Sequence, residues 1–175
     1  MGEMFHEGGV PEEAYEIEFG DVNCVKSGSD ITILTIGATL YRAMDAAKEL
    51  EEKYGMSAEV INLHSLVPLN YEKIVESVKK TGKVVLASDA CARGSFLNDI
   101  ARNISELCFD YLDAPPVVVG AQNWITPPFE FDQYFFPQDK WILDAINEKI
   151  VPLKDYTPTT NFTAVEQMRK SKLGV

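Results

Sequence analysis

Along most of the chain, short apolar runs alternate with longer stretches in which apolar residues return every three or four positions. The runs ITILTIG (31–37), AEVINL (58–63), KVVLAS (83–88) and VVVG (117–120) are nearly continuous and rich in β-branched residues. Strands covered on both faces have that pattern. Between the first two, Leu40, Ala43, Met44, Ala47, Leu50 and Tyr54 form one helical stripe that stops at Gly55. After Pro68, Asn70 is placed to cap a second helix carrying Tyr71, Ile74, Val75 and Val78, closed by Thr81 and Gly82. Ser95 caps a third, with Leu97, Ile100, Ala101, Ile104, Leu107, Cys108 and Tyr111 inward, before Pro115 and Pro116 break the chain. A last domain helix covers 139–150, with Trp141, Ile142, Ala145 and Ile146 inward.

Strands alternating with helices imply right-handed crossovers and a mostly parallel sheet between helical layers. Near the start, Tyr15, Ile17 and Phe19 alternate with Glu16 and Glu18, the period of a half-buried edge strand. Such a strand would make the sheet mixed. The expected architecture is an α/β three-layer sandwich with a mostly parallel mixed sheet of about five strands. Residues 1–15 read as an interdomain linker, 16–150 as the domain, and 151–175 as an extension. In the extension Thr163 and Glu166 are spaced as a capping box for a short basic helix.

Composition narrows the function. A formal charge of −11 disfavours nucleic acid, whose phosphates must be neutralised by Lys and Arg. No apolar run approaches the roughly 18 residues of a membrane span, and the acidic N-terminus has no secretory core. Cys24, Cys91 and Cys108 are odd in number and widely spaced, which argues against a disulfide framework or a zinc site. They suit a reducing cytoplasm. The acidic excess supplies solubility, or a surface for a basic partner.

In an open α/β sheet, ligands sit beyond the carboxyl ends of the strands. Gly37 ends a strand before a helix, where free N–H groups can hold an anion, although GATLYR is no dinucleotide or Walker motif. Arg93, Gly94 and Ser95 make a second candidate anion site at a helix start. His64 after a strand, oriented by Asp89 and serving the Cys91 thiol, is the one nucleophilic arrangement on offer, against a structural histidine. Cys24 and Cys108 read as small apolar residues. The segment 124–136 gathers six aromatics without period, among them Trp124, Phe129 and Phe131 near Pro127. Two readings stand for it: core filling beneath a long loop, or interface anchors.

The order of elements resembles the C-terminal, transketolase-like domain of the beta subunit of the first, decarboxylating component of 2-oxo acid dehydrogenases. The residues that carry the resemblance are VPEEAYEIEFG, the glycine-ended strand ITILTIG, the LVPL turn, SVKKTGKVV and FDYLDAPP. It covers residues 10–150 and looks closer to pyruvate or branched-chain 2-oxo acid enzymes than to transketolase itself. The resemblance implies a non-catalytic domain with no cofactor of its own, in a parent enzyme using thiamine diphosphate and magnesium. It further implies self-association or pairing with the enzyme's other domains, and docking of the basic subunit-binding domain of the acyltransferase. The chain has no GDG…N segment, so the family's catalytic residues have no positions here. It departs from the pattern at His64, Asn70 and Asp89, where the family often shows Arg, Asp and Glu. The longer ending admits a fused alpha–beta parent. The runner-up is a free-standing α/β protein, either a small cysteine hydrolase or an anion-binding regulatory module.

Overall fold

A computed structural model describes residues 12–159. The expected capping box at Thr163 and Glu166 and most of the expected linker lie outside the described residues. Five strands, β1 (Val22–Lys26), β2 (Ile31–Thr35), β3 (Ala58–Leu63), β4 (Val84–Cys91) and β5 (Val117–Ala121), form one sheet in the order β1-β3-β2-β4-β5. β1 runs antiparallel to β3 and every other pair is parallel, so the sheet is mixed as expected. The helices are α1 (Thr39–Tyr54), α2 (Tyr71–Thr81), α3 (Phe96–Leu107), the single turn α4 (Asp132–Phe135) and α5 (Asp139–Lys149).

From β2 the chain crosses to β3 on one side, then back past β2 to β4 and on to β5. Right-handed crossovers in opposite directions must pass over opposite faces. Accordingly Ala43, Ala46, Ala47 and Leu50 of α1, with Trp141, Ile142 and Ile146 of α5, pack on Ile31, Ile33, Val60, Val85 and Val119. On the other face Ile74 and Val78 of α2, with Leu97, Ile100 and Ile104 of α3, pack on Leu34, Ile61, Val84 and Leu86. β2 is buried at all five positions, Thr32 and Thr35 included, as expected of a strand covered on both faces.

The helix signals act where they were placed, with two differences. Asn70 Oδ1 accepts the Glu72 N–H (2.9 Å), and Gly55 and Gly82 close α1 and α2 in the left-handed conformation. Ser95 occupies the cap position of α3 but makes no side-chain cap bond. α3 also stops at Leu107, and a 3₁₀ turn, Phe109–Tyr111, turns the chain away from the sheet. Leu107 and Tyr111 are therefore exposed, not inward, while Cys108 is buried and its burial pushes the thiol pKa up.

The edge strand is not the stretch whose alternation suggested it. Residues 14–18 carry no ladder, and Tyr15, Ile17 and Phe19 are exposed. β1 starts after Gly20, whose carbonyl accepts the Asn70 N–H at 2.8 Å and whose α-carbon faces Pro68 closely. The strand then pairs Val22 with Leu63. Cys24 lies exposed on this edge, so it fills no core.

Candidate functional site

β2, β3, β4 and β5 share a direction, so their carboxyl ends meet at one pole, where the β2–β4 pair is the point from which the crossovers diverge. In doubly wound sheets that crevice is the usual place for a ligand. Gly37 stands beside it with φ +64°, and open space where a β-carbon would be. The first turn of α1 has neither an acidic residue nor a side-chain cap. On the adjoining strand end, Gly94 (φ +69°) and exposed Arg93 precede α3. There Asn98 Nδ2 fills the turn by donating to Ala92 O (2.8 Å), Ser95 O (3.4 Å) and Ser95 Oγ (3.3 Å). Asp99 adds a negative charge to that first turn. Because α1 and α3 cover opposite faces, the two helix starts singled out from sequence open on opposite sides of the sheet.

His64, Asp89 and Cys91 are not brought together. His64 follows β3 and Asp89 lies in β4, and β2 runs between them. Two strand spacings amount to about 10 Å, beyond hydrogen-bond reach. The Cys91 thiol instead faces the Gln122 carbonyl at 3.4 Å. The reason is a β-bulge: the β4–β5 register shifts between Ala87 and Cys91, and Gly120 leaves room for the displaced backbone of Ala90 and Ala92. A β-carbon on Gly120 would lie 2.6 Å from Ala92 N.

The aromatic segment divides. Phe135 is buried, its carbonyl accepts the Gln122 N–H at 3.0 Å, and Trp124 and Phe136 lie against it with ring centroids 6.5 and 4.8 Å away. Pro127 is half-buried. In contrast, Ile125 is 94% exposed, Phe129 66%, Phe131 54% and Tyr134 51%. The core-filling reading thus holds for Phe135 at one end of the segment, while its middle is exposed at the carboxyl pole.

A family model described as the transketolase C-terminal domain matches residues 20–142. The chain belongs to that family. Over 81% of its length it is 37% identical to the 2-oxoisovalerate dehydrogenase subunit beta, mitochondrial, of Dictyostelium discoideum. Over 78% it is 33% identical to the pyruvate dehydrogenase E1 component subunit beta of Bacillus subtilis. It spans 38% and 42% of these two relatives, about two fifths of their length. A solved split-gene transketolase, an inactive beta4 tetramer, superposes with a TM-score of 0.64 at 28% identity, over 79% of this chain and 46% of that one.

For a transketolase C-terminal domain the question is whether its own residues fit thiamine diphosphate and its cation. Among the described residues no three His, Cys, Asp or Glu side chains gather as a cation site. A cavity of about 60 Å³ between β5 and α5, lined by Val119, Gly120, Trp141, Asp144 and Glu148, has room for a few waters only.

Sequence reasoning missed two polar assemblies. Asp144 of α5 is 2% exposed and accepts from Tyr156 and Thr159, which ties the chain after α5 back onto the helix. Thr32, Glu59, Ser77 and Thr81 form a buried polar cluster between the sheet and α2. The signal for the second was Glu59 inside an otherwise apolar strand, facing a helix with hydroxyls at an i, i+4 spacing.

Proposed function

We propose that this domain is the non-catalytic assembly domain of a thiamine-diphosphate-dependent 2-oxo acid dehydrogenase, and that its carboxyl pole is where it pairs with the enzyme's other domains or with a second copy. The observation that carries the reading is the apolar surface of Ile125, Phe129, Phe131 and Tyr134 at the end of the sheet. Monomeric proteins rarely leave large apolar patches open. The beta-subunit relatives and the tetrameric neighbour support the reading. Oxidation of pyruvate or a branched-chain 2-oxo acid, with thiamine diphosphate and magnesium, belongs in this reading to the rest of the parent enzyme. The formal charge of −11 suits docking of a basic subunit-binding domain of the acyltransferase, and the free cysteines suit a cytoplasmic setting.

Sedimentation velocity in low and high salt tests the pairing. Apolar association persists in salt, whereas exposed charge pairs are screened. Phe129→Ala should weaken self-association roughly thirtyfold, the worth of about 2 kcal/mol at one central anchor. Trp124→Ala is expected to act less cleanly, because its ring also packs on Phe135. A wild type that stays monomeric at high concentration in both buffers contradicts the pairing.

A further inference from the structure

Among the described residues, three side-chain atoms are buried without a hydrogen-bond partner: Thr35 Oγ1, Asn62 Oδ1 and Gln122 Nε2. All three stand at the carboxyl pole, on the last residue of β2, the last but one of β3 and the residue after β5. Orphaned polar atoms are costly to bury, so their gathering at one pole demands a cause. Gln122 lies on the far side of β4, beside the bulge. Thr35 and Asn62, in contrast, are register partners on adjacent strands, and Thr35 is completely buried.

The two orphaned oxygens also share a face. Side chains alternate along a strand, so Thr35 follows Ile31 and Ile33, and Asn62 follows Ala58 and Val60, onto the side that α1 covers. Only Ile36, Gly37 and Ala38 separate Thr35 from Thr39, the first residue of α1. The first turn of that 16-residue helix therefore lies over them, and its N–H groups carry partial positive charge. Bonds within the turn begin with the Leu40 N–H to Gly37 O (3.1 Å) and the Tyr41 N–H to Ala38 O (3.2 Å). The Ala38 and Thr39 N–H groups come before them, where a helix has no carbonyl to offer. No acidic residue or side-chain cap serves this turn. Gly37 is exposed in the left-handed conformation, with nothing within 4 Å of where a β-carbon would stand. At such a joint the turn can shift and admit a small group beneath the helix start.

The donors and acceptors name that group. The Thr35 hydroxyl and the helix N–H groups can donate, which suits an oxyanion. Asn62 Oδ1 can only accept, so the oxyanion must bring a proton. Sulfate and simple carboxylates carry none near pH 7, and a phosphate monoester has largely lost its second, whose pKa is about 6. Inorganic phosphate keeps one. We propose that the start of α1 binds inorganic phosphate, with Thr35 and the Ala38 and Thr39 N–H groups donating to its oxygens and Asn62 Oδ1 accepting its P–OH. Asp89, at the neighbouring end of β4, is exposed, and solvent screens its repulsion. The site is independent of whether the pole pairs with another domain.

Titration calorimetry of the full chain at pH 7 and constant ionic strength, with inorganic phosphate and then sulfate as probes, tests the site. Phosphate should bind one to one and roughly tenfold more tightly than sulfate. Thr35→Val keeps the shape of the side chain and removes an orphaned hydroxyl, so the fold should survive while phosphate binds roughly tenfold more weakly. Asn62→Leu should abolish the preference, leaving phosphate and sulfate alike. Amide resonances of residues 37–39 in the wild type should move as phosphate is added, a readout that needs no variant to fold. Absence of saturable phosphate binding, or shifts that leave 37–39 untouched, overturns the site. Sulfate binding as tightly as phosphate to the wild type overturns the role of Asn62 and the choice of phosphate. Wild-type affinity in Thr35→Val places the anion elsewhere and overturns the proposal.

Discussion

Two regions of this domain reverse the usual placement of residues. Between β2, β3 and α2, Thr32, Glu59, Ser77 and Thr81 are each no more than 6% exposed. At the carboxyl pole, Ile125, Phe129, Phe131 and Tyr134 are each at least 51% exposed. Polar groups lie inside where their partners are fixed. Thr32 Oγ1 is 2.8 Å from Ser77 Oγ and 2.7 Å from Thr81 Oγ1, and the Glu59 carboxylate is paired with Lys80 and meets the Gly28 N–H at 3.5 Å. A hydrogen-bonded polar group costs little to bury, whereas an orphaned one costs about 1–3 kcal/mol. Apolar groups lie outside where the backbone follows no period that would turn them all inward. What decides burial here is whether neighbouring residues repeat in step with the backbone, more than how apolar each residue is.

The widest gap between the two kinds of region should appear on truncation. Leu50 of α1 is completely buried against the sheet, and Leu50→Ala should cost about 2–5 kcal/mol through lost transfer energy and a cavity. Phe129→Ala removes a larger side chain from the pole and should change stability by about 0.5 kcal/mol or less. Urea unfolding of both variants reads the difference. Comparable losses would mean that Phe129 is held in the core by contacts the structure does not show.

The same contrast explains what was legible in the sequence. β2, β3, β4 and β5 and the inner stripes of α1, α2 and α5 follow from unbroken or periodic apolar positions, and each is where the pattern put it. The edge strand was misplaced because an alternation such as Tyr15, Ile17 and Phe19 states only that a strand is possible. Pairing also needs a partner in register, and β3 offers its edge to Val22–Lys26. His64 and Asp89 seemed neighbours because sequence order suggests adjacent strands, whereas β2 is inserted between β3 and β4. The Asp144 anchor was invisible for a related reason: nothing local marks an aspartate on a helix as the acceptor for a hydroxyl fifteen residues later. The surface at the carboxyl pole was half legible, since the run of rings showed but not which of them turn outward.

A second, smaller test probes the buried polar cluster. Thr32→Val keeps the shape but removes the hydroxyl that both Ser77 and Thr81 face. Thr81 retains the Ser77 and Lys83 carbonyls, each at 3.1 Å, and the Ser77 hydroxyl retains the Glu59 carboxylate, so the loss is shared between partly satisfied groups. The expected cost is about 1–2 kcal/mol, read from the urea midpoint. A neutral result would show that this cluster serves shape alone. Thr32→Val with Ser77→Ala should then be less than the sum of the single changes, because the two hydroxyls share one bond.

The smallest expected effect is electrostatic and concerns Glu59. Burial by itself pushes this carboxyl up, but Lys80, the Ser77 hydroxyl and the Gly28 N–H outweigh it and hold the pKa below its ordinary 4.5. Folding therefore favours the ionised form. The stabilisation is fully present above the unfolded value and drains away as pH falls through the lowered folded value. The Lys80 ammonium is half exposed, so solvent screens the pair and limits its worth to under about 1 kcal/mol. Glu59→Gln keeps the size and the acceptor but loses the charge. Its urea midpoint should fall slightly below that of the wild type at pH 7 and approach it as the wild type is acidified below about pH 4. A gap that stays constant to pH 3 would show that the amide's packing is at fault and the charge contributes nothing. The cluster would then be a set of hydroxyls that tolerates a carboxylate, with its geometry set by Thr32, Ser77 and Thr81.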